Sequence, residues 1–374
     1  MNGRGRHRRV ARVSAYSVIA LAVTLAIAGV LLSLPQPGAQ SAPPGPPTLA
    51  TVWKHAKPSS APAQLADGTQ FSPLLYIDEQ TALGTAPTRD GAAIRLLLRS
   101  GRGEPTELRR VPVSRNPQFQ GFTSSGDDAV WAESTATPEG KGETRLWRAD
   151  WRTRGPAAEV TADTGDIVFF NSQYDLVVAN GRVRWAAVGH TTDPTTEVRS
   201  VPLGGGSVEV RPVPGAYARS AWPWLVSAAS GQAGAVDLVN LDSGQRVHVP
   251  VTGTELISCG PAWCRSLVLS PSGGPARYDM VRPDGSQRLR VAGGTASAAV
   301  QDVALLDRFE VVSQGSDAGP TGNSQLYVFD TKERKLVLVS GGVATIIARG
   351  AMLWWSTGDN ETAEWHALDL RTLR

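Results

Sequence analysis

Short β-type segments recur along this chain at a nearly constant interval, and that recurrence restricts the fold more than any single motif does. The clearest unit is residues 180–206, NGRVRWAAVGHTTDPTTEVRSVPLGGG. An Asn-Gly turn leads into an apolar run carrying Trp185, a polar turn follows around His190–Pro194, and a second β-rich run ends in three glycines. Turn residues bounding runs of Val, Trp and Thr are the signature of a β-hairpin. Comparable second runs centre on Ile94, Leu146, Val198, Val236, Tyr278, Leu326 and Trp365, separated by 52, 52, 38, 42, 48 and 39 residues. No twelve-residue window after Gln64 shows apolar residues at a sustained three-to-four spacing, so helices are not expected there.

An interval near 45 residues is the length of a four-stranded propeller blade. The spacing predicts an all-β fold over residues 64–374, a β-propeller with seven blades favoured and six or eight as alternatives. A turn followed by an apolar strand precedes several anchors, as at Asp127–Trp131, Asn180–Trp185 and Arg349–Trp355. Their tryptophans are expected to fill the space between neighbouring sheets. The chain ends directly after the third strand of the last unit, which would leave a bare sheet edge. A segment near residues 64–76 is expected to return and supply the missing strand.

Residues 14–34, SAYSVIALAVTLAIAGVLLSL, hold 21 residues without a charge. As a helix rising about 1.5 Å per residue they would span roughly 31 Å, the thickness of a bilayer core. Arg4, Arg6, Arg8, Arg9 and Arg12 precede them in the basic tail 1–13, an arrangement that keeps the N-terminus cytoplasmic and exports the rest. The length favours a retained single-pass anchor. Small residues at Ala39-Gln40-Ser41 leave cleavage and secretion as the alternative. Residues 35–47 contain six prolines and extend the linker, assigned to 35–63, away from the membrane.

Composition bears on partners. Of 37 basic residues, five lie in the tail, and the remaining 32 stand against 34 acidic ones, a formal net of −2. A near-neutral body lacks the concentrated basic surface that a nucleic-acid partner requires.

The turn Ser124-Ser125-Gly126-Asp127-Asp128-Ala129-Val130-Trp131 is similar to the Ser-Pro-Asp-Gly turn of TolB-like and WD40-like propellers, as is Arg282-Pro283-Asp284-Gly285. The chain thus resembles membrane-anchored, extracytoplasmic propeller proteins of actinomycetes over residues 64–374. That resemblance implies a propeller at the cell envelope acting as a binding or scaffold module, with an envelope protein or wall polymer as partner.

Cys259 and Cys264 are the only cysteines, and an exported chain with two so close is expected to join them in a disulfide across a strand–turn–strand. No nucleophile, metal or phosphate-loop motif is present, so no catalytic residue, metal ligand or cofactor is assigned and the chain is read as a non-enzyme. The acidic turns Asp78-Glu79, Asp127-Asp128 and Asp359-Asn360-Glu361 are expected to be structural. The alternative is an envelope glycan hydrolase or lyase using carboxylates that face one another in the propeller funnel.

Overall fold

A computed structural model describes residues 45–101, 103–227, 236–270, 276–315, 324–359 and 361–374. The chain divides into two units between Pro46 and Pro47, and the second, Pro47–Arg374, carries the fold. The tail 1–13 and the apolar stretch 14–34 lie outside the described residues, as does part of the linker. Among the described residues no helix is long and apolar enough to cross a membrane.

Antiparallel strands make six hydrogen-bonded sheets that follow one another in chain order. Residues 72–112, 118–161, 217–249 and 255–294 each form four strands, and residues 166–214 form five. The last sheet has seven strands, joined through Lys335–Arg349, which spans 15 residues. Its first half pairs with Ser324–Asp330 and its second half with Met352–Thr357. Gly342 sits between the halves at φ 67°, a left-handed value that a glycine adopts without steric cost.

Ile94, Leu146, Val198, Val236 and Tyr278 fall on the strand third in the order of their sheets, and in the seven-stranded sheet, counted from Ser297–Ala298, Leu326 lies on the third strand and Trp365 on the sixth; residues 180–206 hold the strands Arg182–Val188 and Thr195–Pro202. In the hairpin Arg182–Val188 and Thr195–Pro202, Trp185 stands opposite Arg199. Trp131, Trp185 and Trp354 are completely buried. Each belongs to a cluster bridging two neighbouring sheets: Trp131 with Leu83 and Leu96, Trp185 with Val130 and Leu146, Trp354 with Phe71 and Leu97. The Trp354 cluster joins the last sheet to the first, so the sheets close into a ring.

The strand that completes the ring is Ser59–Pro62, paired with Glu364–Asp369. It lies just upstream of the expected segment 64–76, because Ser72–Tyr76 is already committed as the first strand of the first sheet. Pro62, which has no N–H to donate, sits at the end of this edge strand, the position where proline is tolerated. Residues 47–63, linker by composition, are therefore ordered parts of the unit. A one-turn helix, Leu49–Val52, precedes the strand and buries Leu49 and Trp53 against Leu305, Phe309 and Leu370. The Trp53 and Phe309 rings meet edge to face, 6.2 Å apart.

Candidate functional site

The innermost position of the third sheet is shared by two short strands, Asp166–Ile167 and Val177–Ala179, both paired with Arg182–Val188. Between them residues 168–176 leave the sheet. Asp175 organises this excursion: its carboxylate accepts from the backbone N–H of Phe170 at 3.0 Å and of Ser172 at 3.1 Å. Leu176, fully buried, pins the end of the segment into the Trp185 cluster.

The excursion reaches across to the far side of the ring. Ser172 Oγ donates to Asp302 Oδ1 at 2.5 Å, and the Gln173 N–H donates to Asp302 Oδ2 at 2.8 Å. Arg349 Nη1 donates to the Ser172 carbonyl at 3.0 Å, while the Gly350 N–H donates to Gln173 Oε1 at 2.7 Å. Asp302 follows the strand Ser297–Ala298, and Arg349 ends the long strand Lys335–Arg349. Residues 168–176 thus plug the middle of the ring, latched at two points on the last sheet.

The latch is itself braced. Arg265, on the strand Cys264–Val268, donates to the carbonyls of Val300 at 2.8 Å and Asp302 at 2.5 Å. Its Nε forms an ion pair at 3.0 Å with Glu310, which accepts hydrogen bonds from Tyr278 and, at 2.7 Å, from the Ala304 N–H. Glu310 is fully buried, and these hydrogen bonds offset the cost of burying its polar oxygens.

Burial pushes the Asp175 carboxyl up to about 6, against the pull of the Phe170 N–H and of Arg349. Asp302 is raised by burial too, opposed by the Gln173 N–H and Ser172. Burial depresses the Arg349 guanidinium, with Asp175 and Asp302 working the other way. Burial also raises the Tyr174 phenol, reinforced by the Asp302 charge.

Cavities flank the plug. One of about 570 Å³ is lined by Leu74, Gln120, Asn171, Arg265 and Ile346 among others. Another of about 350 Å³ is walled by Tyr76, Phe122, Gln173, Tyr174 and Trp222, and its charged lining residues are Arg349 and Arg371.

The residues singled out in the sequence lie elsewhere. Cys259 and Cys264 stand directly opposite each other on adjacent strands and are joined in a disulfide with Cα atoms 4.0 Å apart. The bridge closes the turn between the first two strands of its sheet, the place that Asn180-Gly181 occupies in the third sheet. Asp127 and Asp128 pair with Arg152 and Arg148. Asp78 caps the N–H groups of Gln80 and Thr81, and Asp359 those of Glu361 and Thr362. His190 and His248 lie beside Asp166 and Asp237, and His366 stacks on Trp355. Among the described residues no three His, Cys, Asp or Glu side chains gather closely enough to hold a metal ion. Ser172, Asp175, Asp302 and Arg349 carry no local motif. Spacing gives no trace of the plug either, because the 52 residues from Leu146 to Val198 equal the 52 from Ile94 to Leu146.

The structural neighbours are β-propeller proteins. An oligogalacturonate lyase in complex with manganese superposes with a TM-score of 0.52 at 11% identity, covering 85% of this chain and 99% of its own. An uncharacterized Listeria monocytogenes protein gives 0.52 at 7%, covering 84% and 96%. A Mycobacterium tuberculosis puromycin-hydrolyzing peptidase gives 0.51 at 16%, covering 88% of this chain but 55% of the peptidase. The chain is a β-propeller. At these identities the likeness is one of fold. No protein-family profile matches the sequence, and no curated protein matches it.

Proposed function

We propose that this propeller works by binding, as a membrane-tethered module outside the cytoplasm that presents one ring face to an envelope protein or wall polymer. The plug carries the reading. Residues 168–176 occupy the middle of the ring, where a funnel enzyme would need open space, and Ser172, Gln173, Asp302 and Arg349 are spent on holding them there. What remains for a partner is the ring's faces. Beside the plug, Tyr174, Trp222 and Arg371 line one basin, and aromatic and arginine side chains are the types enriched in protein interfaces.

The blade count in this reading is seven. Taking Lys335–Arg349 as the outer strand of one blade and the inner strand of the next gives a hydrophobic cluster between every neighbouring pair. The tether rests on residues 14–34 and the basic tail before them, and an exported location suits the Cys259–Cys264 bridge.

A glycan hydrolase or lyase is the second reading. It rests on Asp302, a carboxyl raised by burial that lines two of the cavities, as a general acid requires, with Asp175 raised by burial in the plug behind it. In-cell crosslinking of the full-length protein, read by mass spectrometry, separates the two. Recovery of one envelope partner through residues around Trp222 and Arg371 is expected. No reproducible partner, together with glycan turnover by the purified protein, would overturn the binding reading.

A further inference from the structure

The seam where the ring closes holds a cavity of about 270 Å³, walled from both sides of the join. Ser60 and Ala61 come from the closing strand Ser59–Pro62, and Tyr76, Ala82 and Arg99 from the first sheet. None of its lining residues belongs to the plug. Register explains the hollow. Tyr76 stands opposite Ala82 on the neighbouring strand, and Ala82 opposite Arg99 on the next. Directly opposed residues project from one face of a sheet, so two long side chains flank a single methyl group.

Both of those side chains carry a donor that the protein leaves open. Arg99 is 8% exposed, and no carboxylate pairs with it among the described residues. Its Nη1 donates to the Pro62 carbonyl at 2.7 Å and its Nε to that of Gly101 at 3.4 Å. Nη2 makes no hydrogen bond among the described residues and, unlike the sealed Nε of Arg95, keeps accessible area. The Tyr76 hydroxyl, on a residue also 8% exposed, is equally unpartnered and equally open. Burial pushes this phenol up to about 12, against the pull of the Arg99 charge, so it keeps a proton to donate. A buried guanidinium does not shed its charge, and it is costly without an anion. Arg109 and Arg265 meet that need with Glu133 and Glu310. Glu79 lines the seam cavity, but its Oε1 accepts from the Asp369 N–H at 3.3 Å.

We propose that this cavity binds a small carboxylate, one oxygen received by Arg99 Nη2 and the other by the Tyr76 hydroxyl, and that the bound anion fastens the closing strand to the first sheet. The space exceeds the roughly 30 Å³ share of one water molecule many times over and admits such a ligand. Two separate donors suit the two oxygens of a carboxylate, whereas a halide has one centre to offer. A phosphate dianion finds one cation in the wall, with the Glu79 charge beside it. Tyr76 also lines the basin next to the plug, but Arg99 does not, so a change at Arg99 reads the seam alone.

The test titrates the purified full-length protein with acetate, L-lactate, inorganic phosphate and chloride at constant ionic strength, and reads hydrogen exchange. Acetate and lactate are expected to slow segment 59–63 saturably, roughly tenfold at ten times the midpoint concentration, and to leave 182–188 unchanged. Phosphate should need at least about tenfold more, and chloride should be silent. Tyr76→Phe keeps the ring against Trp354 and loses only the hydroxyl, so it should weaken acetate at least about tenfold. Arg99→Met should abolish the response; should it fail to fold, Tyr76→Phe decides alone. No saturable carboxylate response at 59–63, phosphate binding as tight as that of acetate, or an unaltered response in Tyr76→Phe would each overturn the proposal.

Discussion

Replacing Asp302 with alanine tests the latch that holds the plug. The substitution removes the acceptor of two hydrogen bonds, from Ser172 Oγ and from the Gln173 N–H, while the Asp302 carbonyl held by Arg265 is untouched. Hydrogen bonds to an ionised acceptor contribute about 1.5–3 kcal/mol each, so the gross loss is about 3–6 kcal/mol. Part returns, because the carboxylate itself is penalised by burial, as its raised pKa records. The net cost is about 1–3 kcal/mol, and it falls on the plug before the sheets. Hydrogen exchange resolved by residue is the assay. Amides of 171–176 should exchange roughly 10–100-fold faster, since every 1.4 kcal/mol of lost local stability is tenfold, whereas those of Arg182–Val188 keep their rates. In a double-mutant cycle with Ser172→Ala the two changes should be strongly non-additive, because they remove the same contact. Unchanged exchange at Gln173 in Asp302→Ala would refute the latch.

Three further outcomes follow from the same structure. Asp175 has a folded pKa raised to about 6, so its contribution is fully present below the ordinary carboxyl range near 4 and is lost as pH rises through 6, a change of roughly 3 kcal/mol; the plug should be better protected at pH 5 than at pH 7 after correction for intrinsic exchange, and Asp175→Asn should flatten that difference. Trp53→Ala removes a ring buried against Phe309 and should cost about 3–5 kcal/mol in urea unfolding, whereas a residue in a free linker would cost nothing. The double change of Cys259 and Cys264 to alanine opens a loop with a sequence separation of 5, and should lower stability by about 2 kcal/mol with the fold retained.

The parts legible in the sequence are those encoded locally. Anchors such as Ile94 and Leu326 announce third strands because a strand buried on both faces must be apolar along its length. Trp131, Trp185 and Trp354 could be assigned to packing from their register after a turn, and the disulfide from two cysteines flanking Gly260-Pro261. The rest depends on contacts that no local pattern records. Ser172 meets Asp302 across 130 residues and Arg349 across 177. Trp53 hides in a proline-rich stretch whose composition reads as linker, although its ring is core. Ser59–Pro62 is too short and too polar to look like a strand, and only the bare edge of Glu364–Asp369 makes it one.

The function proposed above is binding at a ring face, with a reaction at the carboxyls beside the plug as its rival. The most direct test incubates the purified full-length protein with isolated cell-wall glycan and follows new reducing ends and unsaturated sugar products over time. The account predicts no product above the protein-free blank, with the glycan or an envelope protein retained by the propeller. Turnover that vanishes in Asp175→Asn or Asp302→Asn would contradict it and make those carboxyls catalytic.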